Sequence, residues 1–247
     1  MASTTSTTQR SIQDELAPFM GMTVVKNITI GQLNYVNQQD LYSTFAKPAS
    51  NRFPANSRLD FFSGSLADTA VSQGYTAGTL SLSQTNSQFP RGKAPVNQAF
   101  VAVAAGFSVN LIETGDLSDT AHCVEHLVRD PNDLYTIGQS LSWDLNCGRG
   151  ITRTIGPLAA YPGDDSPSAF QNDPATDPAP VGGGVQLGAP SCGLRYLDMP
   201  ILFIPDINTQ ITAHNGSPFG LNMLGINGWY WQFRLVLRGY LMTMPVG

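Results

Sequence analysis

The chain has 247 residues, 18 of them Asp or Glu and 13 Lys or Arg, for a formal net charge of −5. Charged residues make up only 13%, about half the usual share, and the helix formers Glu and Lys number three each beside 15 Asp and 10 Arg. This argues against a helical bundle, a coiled coil, a disordered tail protein and a basic nucleic-acid binder. With 69 Ser, Thr, Asn and Gln, 24 Gly, 17 Pro and 42% hydrophobic residues, the composition suits an all-β protein with an uncharged polar surface and a sizeable core.

Residues 2–8 are low-complexity and polar, as expected of a flexible arm. Ile12, Leu16, Phe19 and Met20 then follow a helical repeat, with Ser11 as cap and Asp14 and Glu15 in the first turn. The arm and this short amphipathic helix are expected to occupy residues 1–20, with residues 21–247 as the main domain. No basic, then apolar, leader is apparent and no window approaches the ~18 apolar residues of a membrane span. Cys123, Cys147 and Cys192 are odd in number and widely spaced, which reads as reduced thiols in a chain made in a cytosol.

From Thr23 the period changes to two. Strands are expected over 23–30, 58–62, 79–83, 99–112, 134–145, 195–204 and 207–213. In 99–112 the odd positions from Val101 to Leu111 are apolar, with small or polar residues between them. The last strand, 229–243, alternates most strictly, placing Trp231, Phe233, Leu235 and Leu237 opposite Arg234 and Arg238. One inserted helix is expected where Ala121, Val124, Leu127 and Val128 make an apolar stripe, stopped by Asp130-Pro131. Residues 156–193 hold seven prolines and the Gly182-Gly183-Gly184 run, without a Lys or Arg; this reads as one long loop. Seven or eight strands and two short helices give an antiparallel two-sheet β-sandwich, a single jelly roll, as the simplest architecture.

Candidate chemistry is sparse. His122-Cys123-Val124-Glu125-His126 is an H-x-x-E-H string; on a helix its histidines share a face and could bind zinc, with Glu125 as general base. The string resembles that of the inverzincin metallopeptidases, but no Glu follows Glu125 to supply that family's third ligand. A solvated helical face of His122, Glu125, His126 and Arg129 is the preferred reading. Asp164, Asp165, Asp173 and Asp177 could gather around calcium, but they lack the calcium-loop spacing. Cys147 matches no nucleophile elbow, and no phosphate loop or dinucleotide fingerprint is present. Trp229 and Trp231 could form a sugar-stacking platform, yet their alternation with Phe233 is that of a sandwich core. No catalytic residue and no cofactor is assigned.

The residues Arg58-Leu59-Asp60-Phe61-Phe62, Gln88-Phe89-Pro90-Arg91-Gly92 leading into Phe100–Ile112, and Trp229–Met244 sit in a layout of arm, short helix, sandwich, long Pro/Gly loop and terminal aromatic strand. That layout resembles the jelly-roll capsid proteins of small tailless icosahedral viruses, including bacteriophages. The resemblance implies a structural protein without catalysis, made in a host cytoplasm and built into the virion through homotypic contacts in capsomers and a shell lattice. Ile12, Leu16, Phe19 and Met20 would then serve assembly. No basic arm is present to grip a genome, so other capsid proteins or an internal membrane are the expected further partners. The competing classes are a lectin-like or other ligand-binding sandwich and a zinc hydrolase on the histidine string.

Overall fold

The computed structural model describes residues 35–50, 52–112, 125–126, 131–147, 152–161, 194–205, 207–221 and 229–243. They form an all-β, broadly sandwich-like architecture. Its strands are β1 (Tyr35–Pro48), β2 (Arg52–Phe53), β3 (Arg58–Phe61), β4 (Gln98–Ile112), β5 (Glu125–His126), β6 (Ser142–Cys147), β7 (Thr152–Pro157), β8 (Arg195–Phe203), β9 (Thr209–His214), β10 (Phe219–Gly220) and β11 (Tyr230–Thr243). One helix, α1 (Pro131–Ser140), lies between β5 and β6.

The strict alternation of β11 makes it a natural sheet interior. It pairs antiparallel with β1 on one side and β4 on the other, and β4 then pairs with β5 at one end and β8 at the other. A second sheet runs β3-β9-β6-β7, all antiparallel. Two sheets were expected and three are found, because β2 and β10 form a separate two-stranded pair in which Phe53 stacks on Phe219 at 4.7 Å.

Apolar residues of both large sheets meet in one core. Leu41, Phe100, Phe107, Phe203, Trp231, Phe233, Leu235 and Leu237 come from the first sheet; Leu59, Phe61, Trp143, Leu145, Ile211 and Ala213 come from the second. Phe107 bridges the layers, edge-on to Phe61 at 6.2 Å and stacked near Phe233 at 6.0 Å. On the opposite face of β11, Arg238 makes a two-pronged ion pair with Asp40 of β1, at 2.9 and 2.8 Å. The Arg234 guanidinium lies over the Tyr42 ring.

The odd-position rule for 99–112 holds only in part. The β11 ladder matches Arg238 to Ala104 but Gly239 to Ala102, so Val103 is an extra residue and the inward parity advances there. Phe100 and Ala102 face the main core before this bulge, and Ala105, Phe107 and Val109 after it. Ala99, Val101 and Val103 join Tyr240 and Met242 in a separate cluster instead.

Several expected elements differ. Residues 79–83 make only a single bridge, Thr69 to Thr79, and then a turn; there the Ser81 N–H donates to Gln84 Oε1 at 3.2 Å, a local bond that competes with a ladder. The strand expected over 134–145 is α1 up to Ser140 and β6 from Ser142. Pro131 opens this helix, a place where a first-turn proline gives up no intrahelical bond. Gly138 of α1 lies close against Ala159, where an added Cβ would come within 3.1 Å of the alanine methyl. The first residues of the loop expected over 156–193 are instead the end of β7, which runs to Pro157, and a 3-10 turn over Leu158–Ala160; residues 162–193 lie outside the described residues.

The edge of β1 away from β11 is covered by the segment between β3 and β4. The Thr44 N–H donates to the Gln84 carbonyl at 2.9 Å, and the Tyr42 N–H to Asn86 Oδ1 at 2.8 Å. Asn86 Nδ2 also donates to the Asp40 carbonyl at 2.6 Å. Buried beneath this cover, Ser43 Oγ accepts from Gln73 Nε2 and from the Phe62 N–H, both at 2.9 Å. An otherwise open edge is thereby blocked to strand addition along this stretch.

Candidate functional site

The outward face of the second sheet carries rows of polar side chains. Directly opposed residues of antiparallel strands share a face, so the pairings define its rows. Asp60, Thr212, Asp144 and Thr154 stand side by side across β3, β9, β6 and β7. Arg58, His214 and Ser142 form the row beside them, and Gln210, Asn146 and Thr152 the row on the other side. Leu59, Phe61, Trp143, Leu145, Ile211 and Ala213 alternate with these residues and are buried. Core burial therefore fixes which side chains point outward.

Part of this face sinks into an open trough of about 310 Å³, lined by Asn56, Arg58, Asp144, Asn146, Thr152, Gln210, Thr212 and His214. Asn56 closes one end from a left-handed turn, φ 59°, whose N–H donates to the Asn215 carbonyl at 3.0 Å.

The two carboxylates of the middle row are held differently. Asp60 Oδ1 accepts from Thr212 Oγ1 at 2.7 Å, from Arg58 Nη2 at 3.3 Å and from Gln210 Nε2 at 3.4 Å. Asp144 Oδ2 lies 3.5 Å from His214 Nδ1, while Asp144 Oδ1 is buried with no hydrogen-bond partner among the described residues. Two strand spacings separate the carboxylates, about 10 Å between Cα atoms. Asp60 is thus satisfied beside the trough rather than in its lining, and the unmatched Asp144 oxygen is buried out of reach of solvent.

Comparison with protein-family models, with curated proteins and with solved structures found no match to the chain. The chemistry of the trough rests on its own residues.

The residues singled out from the sequence lie elsewhere. Ile12, Leu16, Phe19, Met20, His122, Asp164, Asp165, Asp173 and Asp177 all fall outside the described residues. Glu125 and His126 form β5, paired with Ile112 and Leu111 of β4. The helix expected through them is replaced by a strand at these two positions, so the helical spacing that would set His122 and His126 on one face does not extend to them. Among the described residues no group of three His, Cys, Asp or Glu is placed to hold a metal ion. Trp231 is fully buried, and Trp229 packs against the same core, in keeping with the core assignment over a stacking platform.

The sequence reading did not single out Asp60, Asp144 or His214 as a site. Their signal was polar alternation: Arg58 and Asp60, Asp144 and Asn146, then Gln210, Thr212 and His214, each with apolar residues between. Which of these strands are neighbours could not be read from that pattern.

Proposed function

We propose that this chain is a non-catalytic structural subunit of a virus shell, a single-jelly-roll capsid protein of a small tailless icosahedral virus such as a bacteriophage. The observation that supports the reading most is the order of the strands. With the two-residue strands β2, β5 and β10 set aside, eight longer strands remain, and their ranks along the chain run 1-8-3-6 in one sheet (β1-β11-β4-β8) and 2-7-4-5 in the other (β3-β9-β6-β7). First pairs with last, second with seventh, third with sixth and fourth with fifth. Such a nested hairpin, rolled so that successive pairs alternate between facing sheets, is the jelly-roll scheme of capsid, lectin and cupin domains.

The interior favours a scaffold among these. Among the described residues the positions between the sheets are occupied by Phe, Trp, Leu and Ile side chains. The sparse charge lowers repulsion and desolvation cost when broad faces are covered by sister copies. On this reading the partners are copies of the same chain, with other capsid proteins or an internal membrane beyond them, and the place of action is the virion.

The expected assembly segment offers the test. Deleting residues 1–20 is expected to leave the β-sheet circular dichroism intact while shifting material from particles to free subunits in sedimentation and negative-stain images. Undiminished particle yield would remove Ile12, Leu16, Phe19 and Met20 from assembly. Failure of the full chain to form particles would remove the shell reading itself.

A further inference from the structure

We propose that residues 11–20 dock as a helix on the outward face of the first sheet of their own chain, with Ile12, Leu16, Phe19 and Met20 against a second apolar cluster there. This goes beyond the shell reading and does not depend on it. In a shell the stripe would then act by shaping this face of one copy rather than by bridging two.

The cluster joins Ala99, Val101 and Val103 of β4 to Tyr240 and Met242 of β11, and Leu202 and Ile204 pack against it. Tyr240 and Met242 share the side of β11 that carries Arg234 and Arg238, away from the main core, and Val101 and Ala99 are their direct partners on β4. Side chains on an open sheet face keep one side toward water, yet these five are only 2–7% exposed within the single chain. The face is therefore covered from within its own chain. The cover is narrow. Leu202, opposite Val101 on β8, is half-buried, and Gln38, opposite Tyr240 on β1, is exposed. Full burial is thus confined to β4 and β11, within the width of one helix, about 10–12 Å. Along β4 it runs from Ala99 to Val103, about 13 Å of strand, and the Arg238–Asp40 ion pair bounds it. The stripe from Ile12 to Met20 spans about 12 Å of helix.

The registers decide which segment is at hand. Tyr35 and Gln98 both stand opposite Thr243, and Phe100 opposite Phe203. β1 and β4 therefore begin, and β11 and β8 end, at the corner that holds the cluster. Segments 113–124 and 162–193 adjoin the other ends of β4 and β8. Residues 244–247 start at the right corner but are only four. Of the described segments, the one ahead of β4 sends Phe89 and Ala94 into the main core and leaves Val96 exposed. The one after β8 leads to Thr209 of β9 in the second sheet. What remains is 1–34, which enters at Tyr35. Within it Ile12, Leu16, Phe19 and Met20 supply an apolar face at helical spacing. Residues 21–34 join that face to β1 with a reach of up to about 46 Å, ample for this sheet.

The test follows alkylation of the Val101→Cys thiol in the full-length chain, with peptide mapping by mass spectrometry reading that position apart from the native cysteines. Labelling is expected to be at least tenfold slower than in Tyr135→Cys, at an exposed position of α1. Adding Leu16→Asp and Phe19→Asp should raise the rate at position 101 tenfold or more and leave that at position 135 unchanged, and the sheet spectrum reports the folding of each variant. If the acidic pair unfolds the chain, the milder pair Leu16→Ala and Phe19→Ala should still raise the rate at least threefold. The proposal is overturned if position 101 labels as fast as position 135 in the otherwise unchanged chain, or if neither pair alters its rate in folded protein. It also falls if the rate rises when assembled chains are diluted to single subunits, which would put a neighbour's residues 11–20 on this face. The rates are read on subunits as well as particles, so failure here leaves the shell reading to particle mass.

Discussion

Replacing Gly239 with valine is expected to destabilise the protein by about 3 kcal/mol, at the upper end of what overpacking costs. A Cβ at this position would lie 2.1 Å from the Val101 carbonyl oxygen and 2.7 Å from the Ala102 Cα. Both are backbone atoms of the central strand β4, so no side chain can swing aside. The contact sits where the extra residue Val103 shifts the β4–β11 register. Gly239→Ala should be costly for the same reason. Gly216→Ala, where an added Cβ meets nothing within 4 Å, should stay within about 0.5 kcal/mol of the parent. Urea denaturation of the three variants checks this; equal stability of Gly239→Val and Gly216→Ala would contradict the bulge geometry.

Trp231→Ala is expected to have the second large effect, about 3–5 kcal/mol from lost burial and the cavity left behind. Its side chain is fully buried in the core shared by the two sheets. For a chain of this size such a loss lowers Tm by about 6–20 °C. The indole N–H has no acceptor among the described residues, so the ring contributes through bulk and not through a hydrogen bond. Trp231→Phe removes that buried donor and keeps most of the packing, and it should cost less than half as much. Melting curves showing Phe as damaging as Ala would mean that the N–H is engaged after all.

The parts of the fold legible in the sequence were those where burial imposes a period. The inward series Trp231, Phe233, Leu235 and Leu237 was visible because a polar or charged residue stands at several of the alternate positions, Arg234 and Arg238 among them. β1 is not marked by its sequence because Asn37-Gln38-Gln39-Asp40 lack strand formers; β11 and the Gln84–Asn86 cover hold it extended, and context outweighs propensity there. α1 is ambiguous in the sequence because a proline such as Pro131 fits a helix stop as well as a first turn, and Leu134, Ile137 and Leu141 fit a strand stretch as well as a helix. The trough was illegible for a different reason. Asp60 and Asp144 are 84 positions apart and meet Thr212 only through the registers of β3, β9 and β6. A slip of one residue in any of them would turn its polar set inward. Pairing of that kind is settled by the whole core, and no local motif records it.

The mass of the purified full-length chain in solution, read by light scattering and checked by negative-stain microscopy, tests the central claim most directly. A nested eight-strand sandwich that builds a shell predicts closed particles of megadalton mass. A single species of 26.5 kDa at every protein concentration would contradict it.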